Sequence, residues 1–215
     1  MDAGRFQPLK VPCSLTTVVT LITVRRPSNR PSKKTERPLS GVESAYAIAG
    51  NKLEELSPQE LIDCANGTTN CQNKHCTGGN YLCVGDYLET YGLESETEYP
   101  FLSGTGQSGV CHNSESRWHA TGVDVVAMTF SSSKSQAAQE ETLMTYLLKK
   151  GPISISVAAD NDAASWQDYV SGVYKGGTAP FLINHAVQLV GYGTDPKEGD
   201  YWTVRNSWGC LLHAL

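Results

Sequence analysis

His185 and Asn206 are the two residues whose types and setting could do chemistry together in this 215-residue chain. An imidazole that passes a proton near neutral pH needs one ring nitrogen turned to its partner and the other held in place. A side-chain amide oxygen can hold that second nitrogen without adding charge. His185 stands in I-N-H-A-V-Q-L-V-G-Y-G (183–193) and Asn206 in Y-W-T-V-R-N-S-W-G (201–209). Trp208, two residues beyond the amide, is placed to keep water off such a bond.

Those residues meet only if the chain between them turns back on itself. Val187 and Leu189 alternate with Ala186, Gln188 and Val190, and Trp202 and Val204 alternate with Tyr201, Thr203 and Arg205. Both halves read as strands. The stretches Gly191–Pro196 and Lys197–Asp200 are rich in turn residues and are read as the connection. A hairpin of this kind brings His185 near Asn206.

Upstream, the first 40 residues differ from the rest. They hold eight Lys/Arg against Asp2 and Glu36, a balance of +6, whereas the remainder holds nine against twenty, −11. Val11–Val24 is mildly apolar and β-branched; a signal peptide and a strand are both readings of it. Residues 25–38, R-R-P-S-N-R-P-S-K-K-T-E-R-P, are basic and Pro-rich and are expected to be disordered. An acidic body argues against nucleic-acid binding. No run of apolar residues is long enough for a membrane span.

From Gly41 onward the pattern is ordered. Val42–Ala49 suits a helix stopped by Gly50-Asn51. Ser57-Pro58-Gln59-Glu60 is a capping-box signature that starts a short helix ending near Cys64. Asn80–Tyr91 places Tyr81, Val84, Leu88 and Tyr91 on one helical face before Gly92. Residues 121–130 open a β-rich half, interrupted by a helix over Gln136–Lys150 that Gly151-Pro152 stops, before the strand at 153–157. The boundary between the halves is expected near 115–121.

Five of the seven cysteines fall between Cys64 and Cys111, in a loop-rich stretch that also carries the sequon Asn66-Gly67-Thr68. Both features favour an oxidising compartment. The spacing of Cys71, His75, Cys76 and Cys83 does not form the paired C-x-x-C of zinc knuckles, so no metal is expected. Gly104–Gly109 fits G-x-G-x-x-G but lacks the flanking strand and helix that a dinucleotide site needs, and reads as a loop.

The blocks N-H-A-V-x-x-V-G-Y-G and Y-W-x-V-R-N-S-W-G resemble the His and Asn blocks of papain-like cysteine peptidases. L-S-P-Q-E-L-I-D-C, H-C-T-G-G, G-P-I-S and W-Q-D-Y-V-S-G-V-Y stand upstream in the family's order, so the resemblance runs from about Gly41 to Gly209. It implies an α+β, two-lobed fold, with a helical lobe over about 41–118 and a β-rich lobe over about 119–209. It implies His185 as acid and base, with Asn206 as its orienter. Gly78, Gly79, Asn184, Ala159 and Trp208 would then line the substrate site. The glycines let an extended peptide approach the backbone. Cys64 matches a family cysteine bonded to one further on, here Cys111; Cys71 and Cys83 are expected to bond each other, and Asn66 to be glycosylated. No cofactor is implied. Protein or peptide substrates, cystatin-like inhibitors, a monomeric state and the secretory route to a lysosome, vacuole or the exterior are.

The same resemblance exposes what does not match. The family's nucleophile sits in C-G-S-C-W-A-F-S, with an oxyanion-hole Gln shortly before it. Counting back from Cys64 by the family's spacing lands near Lys33, where no such motif exists, and Cys13 has neither the spacing nor the neighbours. After Gly209 the chain reads Cys210-Leu-Leu-His-Ala-Leu, where the family continues with a second Trp-Gly. The expectation is a peptidase-family chain that is inactive as written; the alternative is a pseudo-peptidase that binds extended peptides or inhibitors without cutting them.

Overall fold

The computed structural model describes residues 9–12, 19–24, 36–65, 75, 79, 81–112, 123–128, 135–157, 169, 171–174 and 185–206. Elements form in the order β1 (Leu9–Pro12), β2 (Val19–Val24), α1 (Glu36–Ile48), α2 (Pro58–Cys64), α3 (Tyr81–Tyr91), β3 (Val123–Met128), α4 (Gln136–Lys150), β4 (Ile153–Val157), β5 (His185–Asp195) and β6 (Gly199–Arg205). The chain is therefore α+β.

Two compact units account for these elements. One spans Leu21–Ala127 and holds α1, α2 and α3; the other joins Met1–Thr20 to Met128–Leu215. The division after Ala127 falls beyond the 115–121 read from sequence, and the N-terminal residues belong with the C-terminal unit.

In the helical unit, Leu39, Val42, Leu56, Leu61, Ala65, Val84, Tyr87, Leu88 and Leu93 form one buried cluster. Helix α1 starts at Glu36, inside the segment read as disordered, because Pro38 falls in its first turn, where a missing N–H costs nothing. Its end is a Schellman turn: Gly50 at φ +89° donates to Ala47, and the Asn51 N–H reaches the Tyr46 carbonyl. In α3 the buried face is Cys83, Val84, Tyr87 and Leu88, whereas Tyr91 is half exposed and stacks on Tyr87. The last turn, closed by Gly92 at φ +74°, runs past the core.

In the other unit, four strands pair in the order β1-β6-β5-β4. Strands β2 and β3, which fall mostly within Leu21–Ala127, pair with each other in a separate sheet. Helix α4 matches its expected limits. Ser135 caps its start, Lys149 and Lys150 fall in its last turn, where positive charge suits the helix dipole, and Gly151 ends it at φ +85°. It packs on β4 and β5. The strand reading of Val11–Val24 holds at both ends, as β1 and β2, with β1 laid antiparallel on β6 from Leu9↔Val204 to Pro12↔Tyr201.

The hairpin connection is shorter than the sequence suggested. β5 runs through Gly191-Tyr-Gly-Thr-Asp195, and only Pro196–Glu198 turn. Gly193 is a strand residue for a steric reason, since a Cβ there would stand 2.7 Å from the Tyr201 hydroxyl oxygen. Asp195 makes the turn by accepting from the N–H groups of Lys197 and Glu198 at 2.9 and 3.1 Å.

Candidate active site

His185 opens β5 and Asn206 follows the last residue of β6. The imidazole Nε2 and the Asn206 Oδ1 lie 2.9 Å apart, and both side chains are half-buried. An amide oxygen only accepts, so Nε2 carries the hydrogen and the second ring nitrogen, Nδ1, is the basic one. The core row beside the pair is apolar: Val187, Leu189, Trp202 and Val204 are buried within the hairpin, and Val157 lies opposite His185 on β4. The pair can therefore take up and release a proton at Nδ1 with its ring orientation fixed.

Of the other expected site residues, Gly79 is exposed. Gly78, Ala159, Asn184, Trp208, Asn66 and Cys71 lie outside the described residues. Cys64 and Cys111 are joined as the resemblance implied, with Cα atoms 4.8 Å apart. Cys83 is disulfide-bonded too, which removes its thiolate from any zinc set.

Sequence reasoning missed how α2 anchors this bond. All three of its polar side chains are buried with Ser57: Gln59, Glu60 and Asp63 leave almost nothing to solvent. Ser57 Oγ caps the helix by accepting from the Glu60 N–H at 3.0 Å and donates to the Tyr99 carbonyl. Glu60 does not return the bond to Ser57, as a capping box would. Its carboxylate accepts from the Tyr87 hydroxyl at 2.9 Å and the Glu94 N–H at 2.7 Å, while the Ser57 N–H goes to the Glu94 carbonyl. Gln59 holds the backbone of Leu102 and Ser103, and Asp63 takes the Gly109 N–H at 2.7 Å and the Tyr99 hydroxyl at 3.0 Å.

The G-x-G-x-x-G segment is thus a loop fastened to a carboxylate, which excludes it as a phosphate cradle. Burial lifts the Glu60 carboxyl above its ordinary value, against the pull of its two donors. The same desolvation, with Glu60 beside it, pushes the Tyr87 hydroxyl up. The signal for this network was three acids and amides, Gln59, Glu60 and Asp63, within a single seven-residue helix.

Comparison with known proteins places the chain. The family model described as papain family cysteine protease matches residues 39–211. Human cathepsin O is 37% identical over 179 residues, covering 80% of this chain and 48% of that protein. Cysteine proteinase B of Leishmania mexicana is 36% identical over 174 residues, covering 80% of this chain and 35% of that protein. The solved structure of digestive procathepsin L2 from the larval midgut of Tenebrio molitor superposes with a TM-score of 0.61 at 26% identity, covering 86% of this chain and 60% of that one. The chain spans about half the length of the cathepsin O relatives it matches. With the His and Asn blocks in the family's order and the α+β fold shared, the chain belongs to the papain family of cysteine proteases.

Proposed function

We propose that His185 and Asn206 are the proton-transferring imidazole and its orienting amide in a cysteine-peptidase site, and that the chain as written does not hydrolyse peptides. The 2.9 Å contact between Nε2 and Oδ1 carries the first part. In the mechanism the family implies, a thiol gives its proton to the imidazole and the thiolate attacks the scissile carbonyl carbon. The imidazolium then protonates the leaving amine, and water cleaves the resulting thioester. Nδ1 of His185 is the nitrogen left for that exchange once Nε2 is committed to Asn206.

The second part rests on the sequence. No cysteine in it stands in C-G-S-C-W-A-F-S, and the position the family's spacing assigns to that block is near Lys33. Without a nucleophile the dyad has nothing to deprotonate. Exposed Gly79 favours a second reading: extended peptides or cystatin-like inhibitors bind along Gly78-Gly79 and are not cut.

Hydrolysis of peptide-aminomethylcoumarin substrates under reducing conditions tests the proposal. The chain as written is expected to show no turnover, a loss of about 10⁶-fold or more relative to an intact site. Replacing the residues around Lys33 by the family's nucleophile block should raise turnover, and His185→Gln should remove that gain. Thiol-dependent hydrolysis by the unaltered chain, abolished by a cysteine-directed epoxide, overturns the inactive reading. A gain from the graft that survives His185→Gln overturns the role given to the imidazole.

A further inference from the structure

The register of the hairpin holds an irregularity between the dyad and the turn. From Gly191↔Thr203 to Asp195↔Gly199 the pairing is continuous, and so is Leu189↔Val204 with Gln188↔Arg205. Val190 has no partner between them and is a one-residue bulge on β5.

The bulge decides which face His185 uses. Side chains alternate along a strand, so residues an even number of steps from one cross-strand pair share its face. Counted from Leu189↔Val204, His185 lies four steps along β5 and Asn206 two steps along β6. Both counts are even, and both residues project on the face of Leu189 and Val204. Had the pairing from Gly191↔Thr203 continued without the bulge, His185 would lie six steps away and Asn206 three. The imidazole and the amide would then point to opposite faces, and no rotamer joins them through the sheet.

The distal register is held by its own contacts. Tyr201 occupies the space over Gly193, Thr194 Oγ1 donates to Asp200 at 2.6 Å, and Tyr192 packs edge-on against Trp202 at 6.2 Å between ring centroids. The proximal register is held by β4, through Ile153↔Leu189 to Val157↔His185, and by burial of Val187, Leu189 and Val204. Two registers are fixed independently, and they differ by one residue.

We propose that the bulge at Val190 is the positioning element of the dyad: it takes up the one extra residue that would otherwise put His185 and Asn206 on opposite faces of the hairpin. Val190 is a positioning residue, acting through the strand register. The proposal rests on the dyad reading, and its consequence is sharp. Deleting Val190 leaves His185 five steps and Asn206 three from Gly191↔Thr203, both odd, so the pair survives on a regular ladder. Inserting one alanine between Ala186 and Val187 puts His185 five steps and Asn206 two from Leu189↔Val204, and the pair is lost.

The test uses the full chain with ¹⁵N-histidine labelling. The ring-nitrogen shifts of His185 report which nitrogen bears the hydrogen, and Asn206→Ala supplies the spectrum of the unheld ring. Deletion of Val190 is expected to keep the wild-type tautomer, and the insertion is expected to give the Asn206→Ala spectrum. An unheld ring in a folded deletion variant, or a held ring after the insertion, overturns the bulge while leaving the dyad intact. A wild-type spectrum already equal to that of Asn206→Ala overturns the dyad and the bulge with it. Should the deletion variant not fold, cross-strand Hα–Hα contacts in the unaltered chain decide: Leu189 with Val204 and Thr203 with Gly191, skipping Val190, support the bulge, and a continuous ladder refutes it.

Discussion

Glu60 places an ionisable group where water does not reach, and its cost depends on pH. Burial opposes the charged form, the nearby Glu94 carboxylate opposes it further, and the Tyr87 and Glu94 donors return only part of the lost hydration. The folded chain therefore binds a proton at Glu60 more tightly than the unfolded chain does. Stability from this group is complete below the ordinary carboxyl value of 4.5 and is lost as pH rises through the elevated folded value. Glu60→Gln keeps the shape and removes the titration. Urea unfolding across pH 4 to 7 should show the wild-type advantage over Glu60→Gln shrinking as pH rises; a flat or growing difference refutes it. Gly109 is the second residue-scale case. A Cβ there would stand 2.7 Å from Asp63 Oδ2, on a carboxylate held by Gln59 and Tyr99. Gly109→Ala should cost about 1–3 kcal/mol of unfolding free energy, as overpacking does, whereas Gly104→Ala, which meets only Phe101 at 3.9 Å, should be nearly neutral.

Elements were legible in the sequence where their limits are set by local chemistry. Ser57-Pro58 and Gly151-Pro152 marked the start of α2 and the end of α4 because a capping hydroxyl and a left-handed glycine act within one turn. Glu60 looked like half of a capping box by the same local logic, yet its carboxylate goes to partners 27 and 34 residues away, which spacing does not reveal. Gly191 and Gly193 looked like turn residues, although Gly193 is there to admit Tyr201. The dyad was legible because two strand patterns flanked a turn. The bulge was not, since alternation on either side of Val190 reads as one strand. The Cys64–Cys111 bond was implied by resemblance alone, and it closes a separation of 47 residues. A loop of that length is worth about 4 kcal/mol in the chain-entropy account. Cys64→Ser should lower the unfolding free energy of the helical unit by about that amount, and unreduced peptide mapping should recover the Cys64–Cys111 pair; recovery of Cys64 bonded to Cys76 instead would contradict the pairing.

At the scale of the whole molecule, the C-terminal unit is discontinuous in sequence. Its sheet ends on β1, which lies near the start of the chain and pairs with β6 through four residues. Every other strand of that sheet comes from residues 153–205. Nothing in the pattern of residues 1–24 announces this, because pairing over such a separation leaves no local periodicity. The energetic consequence falls on β6, which carries Asn206 at its end and is paired on both sides only while β1 is in place. Without β1, the backbone of Tyr201–Val204 becomes a sheet edge beside the buried Trp202 and Val204, an arrangement prone to strand addition by other chains. Removing residues 1–12 should therefore speed amide exchange in β6 by about tenfold or more, equivalent to about 1.4 kcal/mol of local opening, and should raise aggregation on warming. Amides of α2 and α3 should exchange at unchanged rates, since the core cluster described for that unit is built from residues between Leu39 and Leu93. Hydrogen exchange read by NMR separates the outcomes. Uniform acceleration through both units would mean that they unfold as one, and unchanged protection of β6 would mean that the β1 ladder contributes nothing to holding the strand on which Asn206 depends.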